Sequence, residues 1–132
     1  MSIEENKAIV RRLVEEATVR GRLEVMDELV AEDYVDHTPW PGFPPNRDGF
    51  KQSMAQYLSA FGDVEIEIYE MIGEGDKVAL IEKVTGTHKG EMAGVPPSGK
   101  RVGITSMSVY RIADGKIVES WDLNDSAAQM TQ

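Results

Sequence analysis

The sequence contains no cysteine. A disulfide framework, a thiolate zinc site and a cysteine nucleophile are all excluded by that one absence. Histidine is nearly as scarce. His37 and His88 are the only two, in neither an HxxxH nor an HxH spacing, so no metal is expected. Basic residues are in deficit, 14 Lys+Arg against 23 Asp+Glu for a net charge of −9. Such a surface repels phosphate backbones and anionic lipid, so neither nucleic acid nor a membrane is expected as a partner. No apolar run approaches the ~18 residues of a membrane span. The first residues, Met1-Ser2-Ile3-Glu4-Glu5-Asn6-Lys7, are charged from the outset, unlike the basic-then-apolar layout of a secretory leader. The cytoplasm is the expected location. A GxSxG nucleophile elbow and a glycine-rich phosphate loop are also missing, which argues against a serine triad and a nucleotide-binding parallel sheet.

What is present suits one domain, 1–132, whose 41% apolar residues suffice for a core. Ser2 and Glu5 form a capping box ahead of Ile9, Leu13 and Ala17 at helical spacing, and Gly21 ends that helix. A short second helix carries Leu23, Met26, Leu29 and Val30. A stiff loop over 38–45 follows, with Trp40 and Phe43 among prolines, and we expect it to cover an apolar opening as a lid. A third helix has Phe50, Met54, Tyr57, Leu58 and Phe61 on one face and Gly62 as its stop. The period then changes to two: Val64, Ile66 and Ile68 alternate with Glu65, Glu67 and Tyr69. Further strands are expected over 78–88, 101–112 and 117–124, with turns at 73–76 and Asp114-Gly115 and a terminal helix or tail. Helices first and then a run of strands is an α+β pattern: three helices against a strongly bent antiparallel sheet, a cone enclosing a pocket.

The last hairpin is the most informative part. A three-residue connection Asp114-Gly115-Lys116 places Ser108 opposite Asp122, Tyr110 opposite Ser120, and Arg111 opposite Glu119, the last a favourable cross-strand pair. Ser108, Tyr110 and Ile112 then share a face with Val118, Ser120 and Asp122, while Met107, Val109, Trp121 and Leu123 share the other. An inward Asp122 is a carboxylate in an apolar cavity, suited to proton transfer; an outward one is a solvated or paired strand residue. Glu82 and His88 share parity with Val78, Leu80 and Val84, so an apolar inner face carries both with it unless a bulge or strand end returns them to water. His37, beside Trp40 and Phe43, either reaches a cavity or bonds backbone.

The pieces Gly86-Thr87-His88-Lys89-Gly90, Gly94-Val95-Pro96-Pro97 and Arg111-Ile112-Ala113-Asp114-Gly115-Lys116-Ile117, followed by Asp122, resemble the SnoaL-like polyketide cyclases. The segment Asp33-Tyr34-Val35-Asp36-His37 fits as well, so the resemblance spans nearly the whole chain. It implies the cone-shaped fold shared with ketosteroid isomerase, scytalone dehydratase and limonene-epoxide hydrolase. It also implies a homodimer through the outer sheet face, which Met107, Val109, Trp121 and Leu123 would suit. The resemblance further implies an intramolecular aldol reaction on a small hydrophobic carbonyl compound, without metal or cofactor, in which the final-strand aspartate, here Asp122, is the acid/base. His37, Trp40, Glu82, His88, Ser108 and Tyr110 are the expected substrate-binding groups. Two positions depart from the family pattern: its pocket histidine falls on Ser108, and Glu82 stands on a strand that in many relatives bears arginine and tryptophan. A binder of hydrophobic metabolites and an epoxide hydrolase or dehydratase are the alternatives.

Overall fold

The first helix begins as the capping box dictates. Ser2 Oγ accepts from the Glu5 amide at 3.1 Å, and Glu5 Oε1 accepts from the Ser2 amide at 3.0 Å. The computed structural model describes residues 2–92 and 94–125. Helix α1 spans Ile3–Arg12 and continues as a π-helical segment, Leu13–Val19, before Gly21 turns the chain at φ +69°. Arg12 ties this helix forward, donating to Glu16 at 2.6 Å and to Glu28 at 3.0 Å. Helix α2, Val25–Leu29, is held by the burial of Val25, Met26 and Leu29. Strand β1, Val30–Asp36, leads into the proline-rich loop. Helix α3, Arg47–Ala60, then starts on Asn46, whose side chain accepts from the Gly49 amide at 2.9 Å.

Four long strands follow: β2 Phe61–Glu74, β3 Lys77–His88, β4 Arg101–Ala113 and β5 Lys116–Asn124. The sheet order is β1-β5-β4-β3-β2. All neighbours are antiparallel except β1, which runs parallel to β5, so the sheet is mixed where an antiparallel one was expected. The reason is that Val30 and Tyr34 are buried in the core, which draws the segment after α2 onto the sheet edge as a strand. Register shifts in β2 at Gly62/Glu65 and Ile68/Glu70 bend the long β2–β3 ribbon. Gly62 is part of that bend: the helix ends at Ala60 and the strand starts at Phe61. The expected terminal helix or tail falls on residues 126–132, outside the described residues.

The helices cover the concave face. Val10, Leu13 and Ala17 of the first helix pack with Met26 and Leu29 against Val78, Leu80, Ile112 and Ile117 of the sheet. A smaller apolar cluster, Ala60, Phe61 and Val102, closes the far end beneath α3. Among the described residues no helix is long and apolar enough to cross a membrane.

The 38–45 loop is pinned where it rejoins α3. The Asp36 amide donates to Pro45 O at 3.1 Å, and a Cβ on Gly49 would lie 1.8 Å from Pro44 O. Replacing glycine by alanine inside a helix ordinarily stabilises. Here Gly49→Ala must push the loop backbone away, and the expected result is a loss of about 1–3 kcal/mol in urea unfolding. A variant as stable as the parent would mean that the loop is not seated on the helix.

Candidate active site

The register of the last hairpin is the expected one: Ser108 pairs with Asp122, Tyr110 with Ser120, and Arg111 with Glu119. The connection that produces it differs. Asp114 and Gly115 form a two-residue turn, both at positive φ (51° and 77°), and the extra residue is a bulge at Val118. The bulge turns Ile117 inward, fully buried opposite Ile112, where Val118 was expected, and leaves Ser120 buried as well. A bulge and a longer turn shift register identically, which is why pairing alone did not separate them.

Alternation then sets what faces the interior. Along β3, Val78, Leu80, Glu82, Val84, Gly86 and His88 are buried in strict period two. Along β4, Ile104, Ser106, Ser108, Tyr110 and Ile112 are buried in the same way. Two polar rows therefore cross the concave face. Glu82 pairs with Ser106 and Ser106 with Asn124; one row along, Leu80 pairs with Ser108 and Ser108 with Asp122.

These rows open into a cavity of about 170 Å³, room for on the order of ten waters or a small organic molecule. Leu13, Val14 and Thr18 of the π-helical segment roof it, and Phe50, Met54 and Tyr57 of α3 form an apolar wall. Three carboxyl groups face into it: Asp36, Glu82 and Asp122. Among the described residues no lysine, arginine or histidine does. Among the described residues no three His, Asp or Glu side chains are grouped to hold a metal ion.

Asp122 is held by neutral donors. Ser108 Oγ donates to its Oδ1 at 2.6 Å, Asn124 Nδ2 donates to its Oδ2 at 3.2 Å, and the Asp122 amide donates to Thr38 Oγ1 at 2.7 Å. Asp36, on the neighbouring strand, accepts from the Thr38 amide at 3.0 Å. Burial pushes its carboxyl up, the Thr38 amide opposes that, and the charge of Asp122 adds to it. Glu82 is the most buried of the three, 8% exposed, and its Oε2 has no hydrogen-bond partner among the described residues. Desolvation first, and then the charge of Asp122, push it up to about 7 against the pull of the Ser106 hydroxyl. Tyr110 is raised by burial and by Glu82 and Asp122, with the Ser108 hydroxyl acting the other way. Tyr34, raised mainly by burial, bonds to Ser120.

Of the residues read from the sequence, Trp40, Glu82, Ser108, Tyr110 and Asp122 line this cavity. His37 and His88 do not. His37 lies one position beyond Asp36 and three beyond Tyr34, so strand alternation turns it outward, where it stacks on Trp121 at 4.6 Å and bonds Glu119 Oε2 at 2.7 Å. Glu119 is held below the usual carboxylate range by His37 and Arg111. Trp121, expected on the outer face, is half-covered by His37 and reaches the cavity rim. His88 does face inward by parity, but it lies at the far end of β3, stacked on Phe61 at 5.1 Å with Nδ1 near Ser98 Oγ at 3.3 Å. Phe43 of the loop is not in the lining, whereas Trp40 is. Asp36, Gln56, Ser106 and Asn124 were missed. Parity with Tyr34 signalled Asp36, and parity with Asp122 signalled Asn124.

A curved sheet roofed by helices around an acid-lined, cation-free cavity is a recognisable class of architecture. The family model for SnoaL-like polyketide cyclases matches residues 8–132, and the chain belongs to that family. It is 26% identical over 114 residues to the nogalonic acid methyl ester cyclase of Streptomyces nogalater, covering 85% of each chain. IdmH of Streptomyces antibioticus, provisionally a polyketide cyclase, superposes with a TM-score of 0.82 at 31% identity over 96% of both chains. AclR of Streptomyces galilaeus, provisionally a hydroxylase, does so at 0.84 and 33% identity over 94% of this chain and 91% of that one.

The raised carboxyl of Glu82 has a stability consequence with a definite sign. Below the unfolded-state value of 4.5 the group is neutral in both states and costs nothing. As pH rises from there towards about 7 the unfolded chain ionises first, so the folded state loses ground. Urea unfolding at pH 5 and pH 8 should show a decline, of order a few kcal/mol, that shrinks in Glu82→Gln. Equal pH dependence in both proteins would place Glu82 in contact with water.

Proposed function

We propose that the protein is a cofactor-independent enzyme that acts on a small hydrophobic, polyketide-like carbonyl compound by proton abstraction and intramolecular aldol closure. The observation that carries this reading is Asp122, which faces the cavity opposite the apolar wall of α3 with both carboxylate oxygens held by neutral donors. The Asp122 carboxylate takes the proton from a carbon next to a carbonyl. The resulting enolate carbon attacks a ketone of the same molecule, and the new alkoxide receives a proton, so the reaction is an isomerisation. Tyr110 and Ser120 fix the floor beneath the substrate, and Trp40 closes one side. Family membership supports a cyclase-type activity, and the name of the S. nogalater relative supports an ester as substrate. The cavity's charge favours the same choice. A free carboxylate would add a negative group to a cavity already lined by three carboxyl groups and, among the described residues, by no cation, whereas an ester would not.

One observation favours a second reading. Asp36, Asp122, Ser108 and Asn124 converge at the cavity mouth in a way that suits the positioning of a water, as an epoxide hydrolase or dehydratase requires. Product formed in ¹⁸O-water separates them: epoxide hydrolysis incorporates the label in a new hydroxyl, dehydration gives a product lighter than its substrate by one water, and ring closure changes neither label nor mass.

The decisive variant is Asp122→Asn, assayed on a keto methyl ester able to close a six-membered ring. Turnover should fall about 10²–10⁴-fold while binding stays within a few-fold. Turnover that survives the substitution removes Asp122 as the base. A wild-type protein that binds the ester without converting it makes the domain a binder of hydrophobic metabolites.

A homodimer through the convex sheet face belongs to the same proposal. Met107 is 57% exposed and Leu123 73%; the two pair across β4 and β5, next to Ile81. A charge at the centre of such an apolar face opposes association. Sedimentation velocity should show a dimer that Met107→Glu shifts to monomer; a parent that sediments as a monomer ends that part of the reading.

A further inference from the structure

Glu82 is not needed for the step assigned to Asp122, yet it is a buried carboxyl group, which is costly to ionise. Its side chain is 8% exposed on the central strand β3, and it lines the cavity. Its Oε2 has no partner among the described residues. An ionised carboxylate in that position would lack any countercharge, since the titratable groups facing it from the other elements are Asp36 of β1, Tyr57 of α3, Tyr110 of β4 and Asp122 of β5. All of these are neutral or negative. A neutral carboxyl avoids most of that cost; the Ser106 hydroxyl meets one of its oxygens, and an O–H carried on Oε2 has no acceptor among the described residues. Such a group is a donor in need of an acceptor. Tyr57 Oη, also buried without a partner, lines the same cavity from α3.

We propose that Glu82 is a second catalytic carboxyl group, which donates to a carbonyl oxygen of the bound molecule while Asp122 acts as base. The inference rests on the aldol reading and adds the acid that reading leaves unnamed. As the enolate carbon attacks, the C=O π bond of the acceptor ketone breaks and its oxygen takes the Glu82 proton. Glu82 is left as carboxylate and Asp122 as neutral acid. One proton has been taken up and one released, and exchange through water restores both groups. The division of labour follows from depth. Asp122 sits among donors that favour its anion, and Glu82 sits deeper, where burial and the charge of Asp122 outweigh the one hydroxyl, Ser106, that favours its anion.

The test needs no natural substrate. Carboxyl ¹³C NMR of the full chain, assigned with Glu82→Gln, should show Glu82 neutral at pH 6, and its titration should move down in Asp122→Asn when the neighbouring charge is removed. Acetophenone labelled at the carbonyl carbon then reports on donation through its infrared band. In the wild type at pH 6 the bound band should lie lower than in Glu82→Leu, with Glu82→Gln between them, and the difference should close as pH is raised through 7–8. A Glu82 that titrates in the ordinary carboxylate range, an acetophenone band indifferent to residue 82, or no bound band at all overturns the proposal. The two readings fail separately. If Asp122→Asn retains turnover while the band responds to Glu82, the aldol reading falls and the donor stands. If Asp122→Asn is inactive and the band does not respond, the Glu82 assignment alone falls.

Discussion

The pairing of β3, β4 and β5 in one register is the constraint on which everything in the cavity depends. Period-two alternation allows no residue to choose its face independently. Once Val78, Leu80 and Val84 are buried, Glu82 is buried with them; once Tyr110 and Ile112 are, Ser108 and Ser106 follow. A slip of one residue between β4 and β5 would bring Trp121 and Leu123 inside and put Asp122 outside. The hairpin is therefore specified twice. The two-residue turn at Asp114-Gly115 starts the register, and the Arg111–Glu119 ion pair on the opposite face agrees with it after the bulge at Val118 has inserted its extra residue.

The carboxylates of the cavity are then a consequence of strand geometry that the helices make expensive. Roofing the concave face with Leu13, Val14, Phe50 and Met54 removes water from a surface that carries three acids and no base. Ion pairing is spent elsewhere: Arg12 meets Glu16 and Glu28, Lys51 meets Asp27, and Arg111 meets Asp76 and Glu119, all outside the cavity. A cavity built only for binding an apolar molecule has no use for this arrangement, since leucine at position 82 would pack as well and cost less.

Much of this was legible in the sequence because it rests on periodicity. The capping box, the switch from helical to strand spacing after α3, the partners of the last hairpin and the inward parity of Glu82 are all local patterns. What escaped depends on tertiary packing. β1 is too short and too mixed to announce itself as a strand, and its parallel pairing with β5 follows only from the burial of Val30 and Tyr34. Parity placed His88 on the inner face, but it could not say that the cavity ends before the stacked Phe61. His37 was misread for the same reason as β1: without a strand there was no alternation to turn it outward onto Trp121. The π-helical turn at Leu13–Val19 leaves no mark in the spacing of apolar residues, yet it supplies the roof.

Ser108 and Glu82, the two departures that the sequence resemblance implies, are tied together on the proposed reading. A histidine at position 108 would be a second proton carrier and a possible cation beside Asp122. Serine is neither: it donates one neutral hydrogen bond to Oδ1 and orients the carboxylate without neutralising it. On the proposed reading, an aspartate base without a histidine beside it draws its acid from another group that holds a proton at neutral pH. Glu82, across Ser106 from Asn124 and unpartnered at Oε2, occupies that place. Among the described residues the cavity lining holds no cation, which suits Glu82 to the proposed role, because a lysine or arginine beside it would take its proton and leave an ion pair with nothing to donate to a ketone.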